Sequence, residues 1–201
     1  EDLAPNQVAI AGYFCDNLDK TFAGQRYLAR QLRYVSRSKA VPLNATDLGD
    51  LNVFPLETEK HFSSVISQCE AVLELGAHLV LVGGDSSGLK ALGAAVQNVI
   101  NPDVPIVSLS NDNKLNLSKT QKIILSVDLK ELAGKWLSKP RRLNGLSPSQ
   151  IISQINDIPN KIIAVAIFGL APELDSRGST ETQVALNILE AVVKRLDKGA
   201  H

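Results

Sequence analysis

The sequence predicts an α/β fold with a mainly parallel sheet that is flanked by helices on both faces. Short apolar runs alternate with segments whose apolar residues recur at the spacing of a helix face. The runs are apolar at every position, which is typical of strands that are buried on both faces of a parallel sheet. With 201 residues, we expect a single domain over residues 1–201.

The elements follow from these patterns in chain order. Apolar runs bounded by glycine, proline or polar residues predict strands at 7–13, 39–43, 79–82, 105–109, 123–127 and 161–168. Apolar residues at helical spacing predict helices at 21–35, 62–75, 89–96, 148–155 and 180–196. Ser147 or Ser149 can cap the fourth helix, which has Pro148 near its start. We expect the last strand and helix to pack through Ile163, Val165, Ile167, Val184, Leu186, Ile188, Leu189, Val192 and Val193.

Composition excludes several classes of protein. The formal net charge is zero, which argues against a nucleic-acid or anionic-membrane surface as the main partner. No apolar run approaches the roughly 20 residues of a membrane-spanning helix, and we expect no signal peptide. Two cysteines make neither a disulfide framework nor a zinc site, so we expect a cytoplasmic setting.

The stretch Gly83–Gly88 joins a predicted strand to a predicted helix, the kind of turn that places ligands in α/β proteins. Gly84–Gly88 matches GxSxG, with Ser86 as the candidate nucleophile of a serine hydrolase, but no histidine follows before the last residue. A phosphate loop would need lysine where Leu89 stands. The GGD stretch is also similar to the turn of NAD kinases and phosphofructokinases, and a structural turn that needs glycine remains open.

Five ordered motifs resemble those of the ureohydrolases, the family of arginases, agmatinases and formimidoylglutamases. They are Asp47–Asp50 (DLGD), Gly83–Ser87 (GGDHS in the family), Ser126–Lys130 (SxDxD), Gly145–Pro148 and Ala171–Thr180. The resemblance covers most of the chain and implies a three-layer arginase-like fold. Because members of the family form trimers or hexamers, it also implies a homo-oligomer.

The resemblance implies a site where two manganese ions lie between two histidines and four aspartates. This chain departs from that pattern at most of the ligand positions. One aspartate is kept as Asp128, and Gly169 stands where the family has a glutamate. The former metal-site positions are Ser86, Ser110, Asp112, Lys114, Asp128 and Lys130.

Manganese prefers several carboxylate and imidazole ligands at once, and a protonated lysine cannot ligate it. We therefore predict a non-catalytic ureohydrolase-like protein that acts by binding or assembly, with no catalytic residue, no metal and no cofactor. One alternative is a manganese-dependent hydrolase of C–N bonds in linear amidines, with an altered site. A further alternative is a serine hydrolase that uses Ser86, or a nucleotide-binding GGD protein. No nucleic acid and no membrane are expected as partners.

Two further expectations concern single side chains. Ser86 should be structural, with its hydroxyl bonded either to the start of the helix, where serine is a favoured cap, or to a backbone carbonyl. Lys114 and Lys130 should supply the positive charge that metals supply in the family, opposite Asp112 and Asp128; the alternative is that both lysines point into solvent.

Overall fold

A computed structural model describes residues 3–16, 23–37, 43–109, 121–137, 144–172 and 180–198. Its centre is a six-stranded sheet in the order β2-β1-β3-β6-β5-β4, and every pairing is parallel. The strands are β1 (Val8–Gly12), β2 (Thr46–Asp50), β3 (His78–Val82), β4 (Ile106–Ser108), β5 (Lys122–Asp128) and β6 (Lys161–Phe168). This arrangement confirms the predicted parallel α/β sheet.

Helices cover both faces of the sheet, which gives three layers. The described α-helices are α1 (Leu28–Ser36), α2 (Thr58–Glu74), α3 (Ser87–Val99), α4 (Pro148–Asp157) and α5 (Thr180–Lys198). One core lies between the sheet and α1, α4 and α5, and a second core lies between the sheet and α2 and α3. Strand β3 is buried along its whole length, as its unbroken apolar run predicts.

The last helix packs as expected, with all six predicted residues buried in the first core. The prediction for β6 is wrong at one residue. Val165 and Ile167 face α5, but Ile163 belongs to the second core, on the other face of the sheet. The pairing of β5 with β6 is irregular beside this position, and such an irregularity changes which side chains share a face.

The second strand is displaced from its predicted position. Residues 39–42 lie outside the described part of the chain, and β2 is instead the stretch Thr46–Asp50, which we expected to follow a strand. Because β2 is an edge strand, its side chains are half-buried or exposed, so it lacks the apolar run that marks a central strand.

The other boundaries differ little. The first helix begins with a short 3-10 turn at Gln25–Tyr27, while residues 21–22 lie outside the described part. Cys15 and Cys69 are both buried and free. None of the described helices is long and apolar enough to cross a membrane; the cytoplasmic setting stays a prediction.

Candidate functional site

The carboxyl ends of β3, β5 and β6 lie side by side at one end of the sheet, and we call this end the strand-end edge. The Gly83 N–H donates to the Ile167 carbonyl at 2.8 Å, and the Gly169 N–H donates to the Gly84 carbonyl at 3.4 Å. The turn after β3 is thereby joined to the end of β6, and β5 ends beside β6 at Asp128. In open α/β sheets this edge is where ligands bind.

The turn after β3 depends on its two glycines. Gly83 has φ 95° and Gly84 has φ 68°, in the left-handed region that favours glycine. A Cβ on Gly84 would also lie 2.5 Å from the Cys15 carbonyl oxygen, and so it would collide with the segment after β1. These constraints explain the glycine pair without any ligand.

Helix α3 is capped by Asp85, so of the two structural roles expected for Ser86 the capping role is wrong. The Ser87 N–H donates to Asp85 Oδ1 at 2.9 Å, and the Ser87 hydroxyl donates to the same oxygen. Ser86 has helical dihedral angles, φ −64° and ψ −9°, and its side chain makes no capping hydrogen bond. A side chain reaches the first free N–H groups of a helix from an extended backbone, which Ser86 does not have.

A chain of hydrogen bonds runs from this turn into the second core. The Tyr13 hydroxyl lies 2.6 Å from Ser87 Oγ and 2.7 Å from His61 Nε2. The Phe54 N–H donates to His61 Nδ1 at 3.3 Å. Because Nδ1 accepts, the proton of a neutral imidazole must be on Nε2. His61 then donates to Tyr13, Tyr13 to Ser87 and Ser87 to Asp85, all in one direction.

The ionisation of these groups agrees with that direction. Burial raises the pKa of Tyr13, so its hydroxyl keeps its proton and can donate. Burial lowers the pKa of His61, against the opposing effect of Asp85, so the imidazole is neutral near pH 7. The network was not predicted from the sequence. The sequence feature that could have indicated part of it is the close spacing of Asp85 and Ser87.

On the other side of the edge, Lys130 lies inside the protein. Its residue is 4% exposed, and its Nζ is 6.0 Å from the centre of the Phe168 ring. The Lys130 N–H donates to Asp128 Oδ1 at 3.0 Å. A Cβ on Gly169 would lie 2.8 Å from Lys130 Cε and would also collide with Asp128 Oδ1. The lysine stem and the carboxylate therefore share the space that Gly169 leaves open.

Because Lys130 is buried, it does not point into solvent, but its role in balancing the charge of Asp128 stays a prediction. No direct ion pair with Asp128 accompanies it: within the described residues, no carboxylate oxygen lies within 4.0 Å of the Lys130 ammonium. Of the six former metal-site positions, the structure brings Ser86, Asp128 and Lys130 to the strand ends. Ser110, Asp112 and Lys114 lie outside the described residues.

The described residues do not fit the two manganese ions that the resemblance implies. Ser86 offers a hydroxyl, Asp128 one carboxylate and Lys130 a buried ammonium group. Across the described part of the chain, no three His, Cys, Asp or Glu side chains are grouped so that they could hold a metal. Manganese favours several oxygen and imidazole ligands together, and a cation beside them opposes its binding.

The geometry also disfavours a serine hydrolase at Ser86. A nucleophile elbow holds its serine on a sharp, strained turn, whereas Ser86 has ordinary helical angles. Among the described residues there are two histidines. His61 contacts Tyr13, and His78 begins β3, at the opposite end of that strand from Ser86. Neither is placed to take a proton from Ser86, and His201 lies outside the described residues.

The fold and the position of this edge define an arginase-like α/β protein, and comparison with solved structures agrees. The chain is similar to proclavaminate amidino hydrolase from Streptomyces clavuligerus, with a TM-score of 0.82, 14% identity, and 99% of this chain and 94% of that chain covered. It is also similar to a hypothetical agmatinase from Burkholderia thailandensis, with a TM-score of 0.81, 15% identity, and 98% and 88% covered. For arginase from Medicago truncatula the TM-score is 0.77, with 11% identity and 94% and 87% covered.

These likenesses confirm the three-layer arginase-like fold and show that the structural neighbours are ureohydrolases. No family model matches the chain, and no curated protein matches it. One neighbour, a formiminoglutamase variant from Trypanosoma cruzi, is described as carrying Mn2+. At 14% identity that similarity shows the shared fold, and the metal belongs to that protein.

Proposed function

We propose that this protein is a non-catalytic member of the arginase-like fold, and that it acts by binding or by assembly. The observation that carries the proposal is the buried side chain of Lys130, at the position where the resemblance places a metal-binding aspartate. Serine replaces the histidine of the neighbouring motif at Ser86, so two of the three described positions have lost their ligand.

A movement of the Lys130 side chain would not readily make room for a metal ion at this position. Its stem lies against Gly169 and Asp128, and its ammonium lies within reach of the Phe168 ring. A divalent ion beside Asp128 would have to bind next to that positive charge in a poorly hydrated place, where repulsion between like charges is strong. This arrangement supports the proposal that the chain does not carry out the amidino hydrolysis for which one neighbour is named.

The test uses the full chain, dialysed against manganese and then against metal-free buffer. We expect less than one manganese per chain by elemental analysis, and no urea above background from linear guanidino compounds. A ureohydrolase of the same fold, assayed in the same buffer, is the positive control. Stoichiometric manganese together with urea release would overturn the proposal in favour of the altered hydrolase.

Two lysine variants show whether any urea release depends on Lys130. Lys130→Ala removes the buried ammonium, and Lys135→Ala removes an exposed lysine five positions later. If the wild-type chain releases urea and only Lys130→Ala abolishes that activity, Lys130 takes part in an altered site. A fluorophosphonate probe tests the serine-hydrolase alternative, and we expect it to leave Ser86 unlabelled.

We propose that the protein associates with itself. Large apolar side chains are exposed at several places: Tyr34 (68%), Leu56 (95%), Leu75 (50%) and Ile106 (44%). Ile106 lies on β4, an edge strand whose free backbone groups could pair with a further chain. Analytical ultracentrifugation should give a mass above that of one chain at micromolar concentration. A monomer at micromolar concentration would show that the protein does not act by self-assembly, and binding would be the part of the proposal that stands.

A further inference from the structure

A cavity of about 220 Å³ lies on one face of the sheet, between α1, α5 and the strands β1 and β2. Its inner wall is apolar and belongs to the buried first core, and it is formed by Ala29, Leu32, Val82, Leu186 and Leu189. Its described lining shares no residue with the turn at Gly83–Ser87 or with Asp128 and Lys130, so its occupant is a question separate from the proposed function.

The cavity reaches the sheet itself. Ile10 is the central residue of β1 and lines the cavity, and it is half-buried although its neighbours in the strand are buried. Protein interiors are packed as densely as organic crystals and contain few voids larger than a water molecule. An apolar cavity of about 150 Å³ in another protein stays dry and binds benzene. The gap between α1 and α5 therefore departs from ordinary packing and has room for a substituted benzene ring.

The polar groups that line the mouth of the cavity already have partners. The Arg33 guanidinium donates to both Asp47 oxygens, at 2.7 and 3.0 Å, and to Asp50 Oδ1 at 2.5 Å. The Ser36 hydroxyl donates to the Arg33 carbonyl at 3.0 Å, and Glu190 has an interaction partner of its own. A charged ligand would have to displace one of these partners in order to pair, so the lining selects by apolar contact and not by charge.

We propose that this cavity binds a small uncharged molecule with an apolar ring, an alkyl-substituted benzene in chemical class. The ring lies against Leu32, Leu186 and Leu189 on the inner wall. Its transfer from water to that wall removes apolar surface from water on both sides, which favours binding. A charge on the ligand would have to leave water without gaining a new partner, and that transfer costs free energy.

The probe is toluene, titrated into the full chain and followed by NMR. We expect saturable binding with a dissociation constant of about 1 mM or tighter. Benzylamine and benzoate carry the same ring with a positive and a negative charge at neutral pH. Each should bind at least about fivefold more weakly than toluene, because its charge must leave water or hold the ring away from the inner wall.

Two measurements locate the site. Intermolecular NOEs should connect the toluene ring to the methyl groups of Leu32, Leu186 and Leu189, and this measurement needs no variant to fold. Ala45→Leu fills the cavity from its half-buried edge and should weaken toluene binding at least about tenfold. Ala71→Leu, on the exposed surface of α2, is the matched control and should bind as the wild type does.

Four outcomes would each overturn the proposal. They are no saturation by toluene, a charged ring that binds as tightly as toluene, NOEs only to methyl groups outside the cavity, and full binding by a folded Ala45→Leu variant.

Discussion

Buried polar groups are paired differently in the two regions at the carboxyl ends of the strands. On the side of β1 and β3, the side chains of Tyr13, His61 and Ser87 pass hydrogen bonds in one direction to Asp85. On the side of β5 and β6, the buried ammonium of Lys130 has an aromatic ring nearby and no described carboxylate within 4.0 Å.

The difference lies in how the buried polar groups of the two regions are paired. A buried network in which every member has a partner fixes a single arrangement and stabilises it. A buried charge costs free energy unless it is paired, and among the described residues no carboxylate pairs with Lys130. The first side therefore stabilises the fold, whereas the second side is the part of the site to which our proposed function refers.

Asp85→Ala tests the structural side and should have the largest effect. It leaves the N–H and the hydroxyl of Ser87 without their buried acceptor, and we expect a loss of about 3 kcal/mol in the free energy of unfolding. Asp103→Ala, at an exposed turn, is the control and should change stability by less than about 0.5 kcal/mol. Urea denaturation of both variants measures the difference; similar midpoints would show that the network contributes little.

A double-mutant cycle tests the second side. Lys130→Met and Asp128→Asn remove the two charges that flank Gly169, singly and together. The two charges lie more than 4.0 Å apart, so at an effective dielectric constant near 20 their Coulomb attraction is below about 4 kcal/mol, and solvation reduces it further. We expect a coupling energy of about 1 kcal/mol. Strictly additive losses would show that the lysine does not compensate this carboxylate.

The fold was predictable because buried parallel strands leave an unmistakable pattern. The run at Leu79–Val82 and the run at 161–168 both lie in central strands, where each side chain must be apolar. Strand β2 was misplaced because an edge strand has no such requirement, and its carboxylates instead bind Arg33. The sequence therefore predicts the centre of the sheet better than its margins.

The candidate site was predictable only in part, for a different reason. Ser86, Asp128 and Lys130 could be found because they fall in short motifs that follow strands. The network could not, because Tyr13 is 48 residues from His61 and 74 from Ser87. These side chains come together only when α2 packs against the turn. No local sequence pattern predicts a contact between residues so far apart in the chain.

The pH dependence of stability tests whether the buried histidines titrate when the protein unfolds. Burial lowers the pKa of both His61 and His78 from the ordinary value of 6.5. The unfolded chain therefore binds more protons than the folded one below about pH 6.5, and stability must fall as the pH decreases from there. Denaturation at several pH values measures the slope, and His61→Gln should reduce it. An unchanged slope in that variant would mean that His61 does not titrate on unfolding.

The smallest effect compares two serines that begin helices. Ser147 accepts from the Gln150 N–H at 3.2 Å, and the Gln150 side chain accepts from the Ser147 N–H at 2.8 Å, which together form a capping box. Ser86 precedes α3 but leaves the capping to Asp85. Ser147→Ala should therefore cost about 1 kcal/mol, and Ser86→Ala less than about 0.5 kcal/mol. Thermal denaturation of both variants decides the order. If Ser86→Ala costs as much as Ser147→Ala, the serine after the glycine turn contributes to stability through a contact other than a helix cap.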